Sequence, residues 1–354
     1  MWTKTVAQNK ARKAGAQWLR EQGPEYPFVL SCRARLIRNI DGLPFPVEAG
    51  EEDLMRARGM IFEAVSRRVA HDKDWEMRLA EELSRNQLEM MAEERLTDVS
   101  FSNRRQGRAV TLGPDDGRSV VVNEEDHARI QTVLPGAQFM KVYATADDID
   151  NRIESEVKYC FDQRVGYLTS YPGNVGTGLE VSAILHLPAL VITGEIGKTI
   201  SALSQAGIYV RGMDGERAGV AGNLFQIANR QTLGRTEEFI TTNMDMIARQ
   251  VADNEKTARK MMIREDSLDL ADRAHRALGV VERCRRVCYY EALELISLMK
   301  LGVDTGVLPV GDFNPLSVGM EIGSYHLLEL LGAETVEVDI DRERAVQLRR
   351  ILDL

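Results

Sequence analysis

Ser119-Val120-Val121-Val122-Asn123-Glu124-Glu125-Asp126-His127-Ala128-Arg129 joins two kinds of sequence that rarely meet. A β-branched apolar run reads as a strand, and it ends in three carboxylates, a histidine and an arginine. Ionisable groups at a strand end must be solvated or paired, so such a density is seldom there for stability. Upstream, Val110-Thr111-Leu112 and the turn Gly113-Pro114-Asp115-Asp116-Gly117 complete a hairpin pattern with Val120–Val122. The stretch predicts paired strands with a charged block where one ends; alone it reads equally well as a solvated strand end.

Outward from it, residues 1–27 are polar and end in Pro24 and Pro27, which predicts a lead-in helix and a turn. Thr97–Val122 reads as strands. Apolar residues at helical spacing mark Glu51–Ala70 and Ala144–Val165. Gly166–Ser170, Ile208–Val210 and Phe225–Asn229 read as strands, with a helix over Glu195–Gln205 between the first two. From about Thr236 only helical periodicity remains: Thr236–Met262, a charged break at Arg264-Glu265-Asp266, then Ala271–Cys288, Tyr290–Leu301, Ser317–Leu331 and Arg342–Leu352. The expected organisation is a lead-in over 1–27, an α+β domain over 28–255 and an all-helical domain over 256–354.

The 354 residues are 44% apolar and 28% charged, which describes a soluble globular protein. The net charge of −9 gives no argument for binding nucleic acid or an anionic membrane. Cys32, Cys160, Cys284 and Cys288 form no CxxC pair, no apolar run is long enough to span a bilayer, and no signal peptide is evident. A cytoplasmic location is expected. Cys284 and Cys288 read as structural thiols, and no metal-ligand spacing stands out.

Four segments place arginines or glycines beside strand ends. In Ser31–Asn39, Arg33 and Arg35 are two apart, so an extended chain projects both to one face as a clamp for a polyanion. The acidic block carries Arg129. Pro172–Gly178 is rich in backbone donors but lacks the Gly-Lys-Ser/Thr of a P-loop. Arg211–Glu216 is a glycine-bounded turn with one arginine and two acids. Arginines on several loops with glutamates between them suit transfer of a phosphoryl group from a nucleoside triphosphate to a guanidinium. The arginines would neutralise the phosphates, and a carboxylate pair would orient the guanidinium and accept its proton.

SCRARLIRN (31–39), VVNEEDHARIQ (121–131), GYLTSYPGNVGTGLEVSAILHLPAL (166–190) and VRGMDGERAGVAGNLFQIANRQTLGRTEE (210–238) resemble, in order and spacing, the signatures of the phosphagen (ATP:guanidino) kinase family. The early position of the first motif leaves no room for the N-terminal domain of the small-substrate enzymes. RAHRALGVVERCRRV (273–287) and EALELISLMKLGVDTGVL (291–308) resemble the tail of the bacterial protein-arginine kinase branch, the McsB type. The resemblance implies an antiparallel sheet flanked by helices, followed by a helical domain. It implies Mg-ATP as cosubstrate and proteins with exposed arginines as acceptors. A homodimer, a zinc-binding activator and Clp-type protease machinery are further expectations of the family.

Carried over by motif, Ser31, Arg33, Arg35, Arg95, Arg129, Arg211, Gly212 and Gly215 would bind ATP, and Glu125 and Glu216 would hold and activate the guanidinium. Arg95 stands where the family has a histidine beside the nucleotide. Three positions depart further: Tyr171 replaces a cysteine, Gly173 a threonine and Glu180 a phosphate-binding arginine. Near the C-terminus Asp341 and Arg344 match part of a phosphoarginine-reading motif whose first arginine is Ile340 here. Two readings follow: a protein-arginine kinase, or a catalytically impaired relative that binds nucleotide or protein and regulates a partner.

Overall fold

The computed structural model describes residues 17–70, 75–114, 117–213, 220–332 and 339–354. In chain order the strands are β1 (Val29–Arg38), β2 (Glu76–Leu79), β3 (Ala109–Leu112), β4 (Arg118–Val122), β5 (Ala128–Pro135), β6 (Phe161–Asp162), β7 (Gly166–Tyr167), β8 (Leu179–His186), β9 (Ile208–Gly212) and β10 (Leu224–Asn229). The α-helices are α1 (Gln17–Arg20), α2 (Glu51–Ala64), α3 (Arg85–Glu93), α4 (Phe139–Glu154), α5 (Pro188–Ile192), α6 (Ile196–Gln205), α7 (Glu237–Arg283), α8 (Tyr289–Asp304), α9 (Pro315–Glu321), α10 (Ser324–Leu331) and α11 (Ile340–Ile351). Among the described residues eight strands form one sheet in the order β2-β3-β4-β5-β1-β8-β10-β9, and all seven neighbouring pairs are antiparallel. The fold is the expected α+β one, a sheet flanked by helices and followed by a helical tail.

Strand β1 explains the architecture. It lies between β5 and β8, and all ten of its residues are buried. Cys32, Ala34 and Leu36 alternate onto one face, where they join the main core with residues of α4 and α7. Their neighbours Arg33 and Arg35 therefore face the other way. That second face is covered at one end by Trp18 and Leu19 of the chain start with Leu316 and Met320 of α9, which pack on Leu30, Val133 and Ile184. Between this cover and α3 the arginines remain open to a cleft.

The tail has its own core, in which Ala274, Ala277 and Val281 of α7 meet Ala292, Ile296 and Met299 of α8. The helices cross closely: a Cβ at Gly302 would stand 2.5 Å from the Cβ of Ala274. A buried ionic chain fastens the tail to the sheet region. Glu255 accepts from the backbone N–H groups of Ala189 and Leu190 at 3.0 and 2.9 Å and pairs with Arg259, which reaches Asp304. Asp304 in turn holds Lys300, which is fully buried and also bonds Asp312. Among the described residues no helix is long and apolar enough to cross a membrane.

Several expected elements differ. The helix from Glu51 stops at Ala64 and widens into a π turn over Val65–Val69. The helix expected over Ala144–Val165 runs Phe139–Glu154, because Val157 and Tyr159 are needed in the core on a chain already turning into β6. Strand character in Thr97–Val122 begins only at Ala109, and Val99–Asn103 is a 3-10 turn. Gly166–Ser170 is a strand for two residues. Ser317–Leu331 divides at Gly323, where Glu93 caps the start of α10. The charged break falls at Asp266 of α7, whose φ of −151° and ψ of 77° are not helical.

Candidate active site

Strand register assembles the site. Residues directly opposite one another in a sheet share a face. Arg35 lies opposite Gln131 on β5 and Glu180 on β8, Ser182 is opposite Arg33, and Gln226 on β10 is opposite Ile184 and Arg211. Five adjacent strands thus present Arg129 and Gln131, Arg33 and Arg35, Glu180, Gln226, and Arg211 on one surface. The cleft above it has a volume of about 360 Å3 and is lined by Arg33, Arg35, Arg95, Arg211 and Asp98.

The guanidinium groups are held by short polar contacts. Arg33 Nη2 donates to Glu180 Oε1 at 3.1 Å, and Arg35 Nη1 lies 3.7 Å from the same oxygen while its Nε donates to Gln131 at 2.7 Å. Arg129 pairs with Glu124 at 2.6 Å and Asp98 at 2.9 Å and donates to the Leu96 carbonyl. Arg95 and Arg211 both donate to Gln226 Oε1, and Arg95 also reaches the Met213 carbonyl. Among the described residues the buried Nε groups of Arg33 and Arg129 have no acceptor, so the cluster can still take an anion.

Crowding shows in the proton affinities. Burial and the adjacent Arg35 push Arg33 well below the usual arginine range, and burial and Arg129 lower Arg35. Burial alone would raise Glu180, but Arg35, Arg33 and Arg211 outweigh it and hold the carboxyl below its ordinary value. Glu180 is therefore an anion seated where the arginines converge.

The three acids of the strand-end block have separate tasks. Glu124 is buried against Arg129 and accepts from the backbone N–H of Asp98 at 2.8 Å. Asp126 is buried too and takes bonds of 2.6 Å from Asn39 Nδ2 and from the Ser170 backbone N–H, tying β1 to the 168–171 segment. Of the three, Glu125 alone is exposed. Burial, then Asp98 and Asp126, raise its pKa, which makes it more basic than an ordinary glutamate. His127 is wholly buried, accepts from the Ile40 N–H through Nδ1, and is lowered to about 4 by burial, so it stays neutral and positions the turn.

Ser31 lines a small, partly open pocket of about 20 Å3 beside Arg33 and Arg95. Gly212 ends β9. Gly215 and Glu216 lie outside the described residues. Tyr171 is 61% exposed. Its ring occupies the space over Gly173, where a Cβ would stand 2.4 Å from Tyr171 Cε1, so these two departures fit each other. Arg344 lies apart from the cluster and is buried. It donates to the carbonyls of Ile322 and Val287 and to Ser324 Oγ and pairs with Asp341, a set of bonds that pins α11 to the start of α10.

The sequence reading missed Gln131, Gln226, Asp98 and Glu124 as partners of the arginines. For Gln131 a signal existed, because Arg129, Gln131 and Val133 alternate along β5; Asp98 lies in an irregular segment with no pattern to betray it.

Two family models match the chain: the ATP:guanido phosphotransferase C-terminal catalytic domain over residues 58–258 and the protein-arginine kinase McsB C-terminal domain over residues 267–354. The protein named protein-arginine kinase in Halothermothrix orenii is 34% identical over 96% of this chain and 97% of its own length. Those so named in Symbiobacterium thermophilum and Moorella thermoacetica are 37% and 36% identical, each over 95% of this chain and 96% and 97% of their own. Among solved structures, lombricine kinase superposes with a TM-score of 0.57 at 23% identity, covering 66% of this chain and 68% of that one. The substrate-free duplicated taurocyamine kinase of Schistosoma mansoni gives a TM-score of 0.57 at 19% identity, covering 88% of this chain and 48% of that one. At these identities the structural likeness concerns the fold.

Proposed function

The chain belongs to the ATP:guanido phosphotransferase family, in its protein-arginine kinase branch, and on that basis we propose that it transfers the γ-phosphoryl group of ATP to arginine side chains of proteins. The observation that carries this is the single sheet face on which Arg33, Arg35, Arg129 and Arg211 converge, with the exposed Glu125 carboxylate at the strand end beside Arg129. The arginines hold the triphosphate and offset charge at the transferring phosphorus. Glu125, with Glu216 as its partner through the motif resemblance, grips the acceptor guanidinium and turns one nitrogen toward that phosphorus. As the N–P bond forms and the bond to ADP breaks, the nitrogen's proton passes to a carboxylate, for which the raised pKa of Glu125 is suited.

Magnesium enters with the nucleotide in this reading. The ion would be carried by the phosphates and water rather than by a cage of protein ligands. The division at about residue 255, a homodimer, a zinc-binding activator, Clp-type protease partners and a cytoplasmic location belong to the proposal through the family alone. The regulatory alternative rests on Tyr171 and Glu180; full-length likeness to proteins named as kinases favours the enzyme.

The test is ADP release with an unfolded arginine-rich acceptor and with the same acceptor carrying lysine instead. Release should depend on arginine and fall by about 10²–10⁴-fold in Glu125→Gln. Equal release with both acceptors would remove the proposal.

A further inference from the structure

The end of α3 faces two ways. Toward the sheet it delivers Arg95, whose guanidinium donates to Gln226 Oε1, beside Arg211, and to the Met213 carbonyl at 3.2 Å. Toward the tail it delivers Glu93. That carboxylate accepts from the backbone N–H groups of Tyr325 and His326, each at 3.1 Å, and from His326 Nδ1 at 2.8 Å. It thereby satisfies two donors that the first turn of α10 leaves without a partner inside the helix. The tail meets it with a glycine: a Cβ at Gly323 would stand 2.6 Å from Glu93 Oε2 and 2.8 Å from its Cδ. The φ of Gly323 is −56°, so the glycine serves for space and not for a dihedral other residues avoid.

The backbone between the two residues is stiff. The Arg95 N–H bonds the Ala92 carbonyl and the Leu96 N–H bonds the Met91 carbonyl, the paired bonds that close a helix with a left-handed residue. That residue is Arg95, with φ of 62°, a position usually held by glycine. A longer side chain stays in such a conformation only where its surroundings fix it. On the sheet side the bonds of its own guanidinium do so. On the tail side the fixed point is Glu93, two residues earlier. Farther along, Asp98 pairs with Arg129 and donates its N–H to Glu124, so the whole segment from Glu93 to Asp98 is strung between the tail and the arginine cluster.

We propose that Glu93 is a positioning residue through which the helical tail sets the place of Arg95 among the phosphate-binding arginines. This rests on the nucleotide role proposed for those arginines. Glu93, Gly323 and Arg95 border one cleft, so the experiment must separate positioning from direct contact, and a double-mutant cycle does this. Calorimetry on the full chain measures ATP affinity for the wild type, Glu93→Gln, Gly323→Ala, Arg95→Ala and the two double variants. Arg95→Ala should weaken ATP by about 10- to 100-fold, the loss of one charged hydrogen bond. Glutamine at position 93 turns an amide donor toward N–H donors, and alanine at position 323 pushes the carboxylate away. Each should weaken ATP by about 5- to 50-fold, a loss bounded by that of Arg95 itself. With Arg95 already replaced, each should add less than about twofold, because the residue it positions is gone. His326→Asn, whose amide can donate to Glu93 from the place of Nδ1, should stay within about twofold of the wild type.

Affinity is read on folded protein, so a loss of stability alone would not move it. Gly323→Ala alters only the tail and keeps all three donors to Glu93, so it carries the test even if Glu93→Gln fails to fold. Unchanged ATP affinity in the folded variants would overturn the proposal. So would an equal loss with and without Arg95, which would make the effect one of direct contact, and so would an Arg95→Ala that binds ATP like the wild type. A wild type that binds no ATP would remove the nucleotide role of the arginines themselves, a separate failure that takes the positioning with it.

Discussion

Glu180 lies opposite Arg35 in the sheet, 3.1 Å from Arg33, where the strand register brings the cations together. Its carboxylate supplies the arginines with the kind of counter-charge that a phosphate would bring. Any triphosphate entering must displace that contact or share the arginines with it. Glu180→Gln should therefore tighten ATP binding by about 10- to 100-fold, the equivalent of one charged hydrogen bond of ~1.5–3 kcal/mol, and Glu180→Arg should tighten it too. The same substitutions leave buried guanidinium groups facing one another, so the melting temperature should drop. Calorimetry with ATP and thermal unfolding check both; unchanged or weaker affinity in Glu180→Gln would show that the carboxylate does not compete with phosphate.

At this scale the sequence was a good guide to chemistry and a poor one to pairing. The spacing of Arg33 and Arg35 was enough to place them on one face, because side chains alternate along a strand. Residue type and spacing did not distinguish Glu125 from Glu124 and Asp126; the motif resemblance singled it out, without a physical reason. Only folding shows that the latter two are consumed by Arg129 and by Asn39 with Ser170. Nor could it show that Gly173 makes room for the ring of Tyr171.

At the scale of elements, the clasp between α3 and α10 depends on one titration. Burial disfavours the charge on His326, yet hydrogen bonds to Glu93 and Glu94 prevail and raise its pKa to about 9 from an ordinary 6.5. A group whose folded pKa is raised stabilises fully below its unfolded value and loses that contribution as pH rises through the folded one. Stability should thus decline between about pH 6.5 and 9, by about 3 kcal/mol at most, and His326→Gln should flatten this part of the profile. A variant with the wild-type slope in urea unfolding across that range would assign the dependence to other groups.

Elements with a local signature were legible. The hairpin of β3 and β4 followed from two β-branched apolar runs and the turn residues between them, and the break at Asp266 from its charged neighbours. Strand β8, which carries Glu180, was not read at all. It sits inside the sheet and merges with the apolar run into α5, and such a run does not distinguish a buried strand from a buried helix. Helix α3 was overlooked despite a capping box of Ser84 and Gln87.

At the scale of the whole molecule, the sequence reading treated the tail as an appendix to the sheet. Among the attachments the structure gives it are the buried chain from Glu255 through Arg259 and Asp304 to Lys300 and the clasp of Glu93 on the start of α10. Neither was visible beforehand, because contacts between distant segments leave no periodicity in either. The most direct measurement on the molecule is mass-spectrometric detection of phosphoarginine on an arginine-rich unfolded protein after incubation with Mg-ATP, at non-acidic pH because acid cleaves the N–P bond. Phosphoarginine should form with the wild type and vanish with folded Glu125→Gln. Its absence from folded, ATP-binding wild type, or equal amounts from the variant, would contradict a guanidino kinase built on these arginines and Glu125.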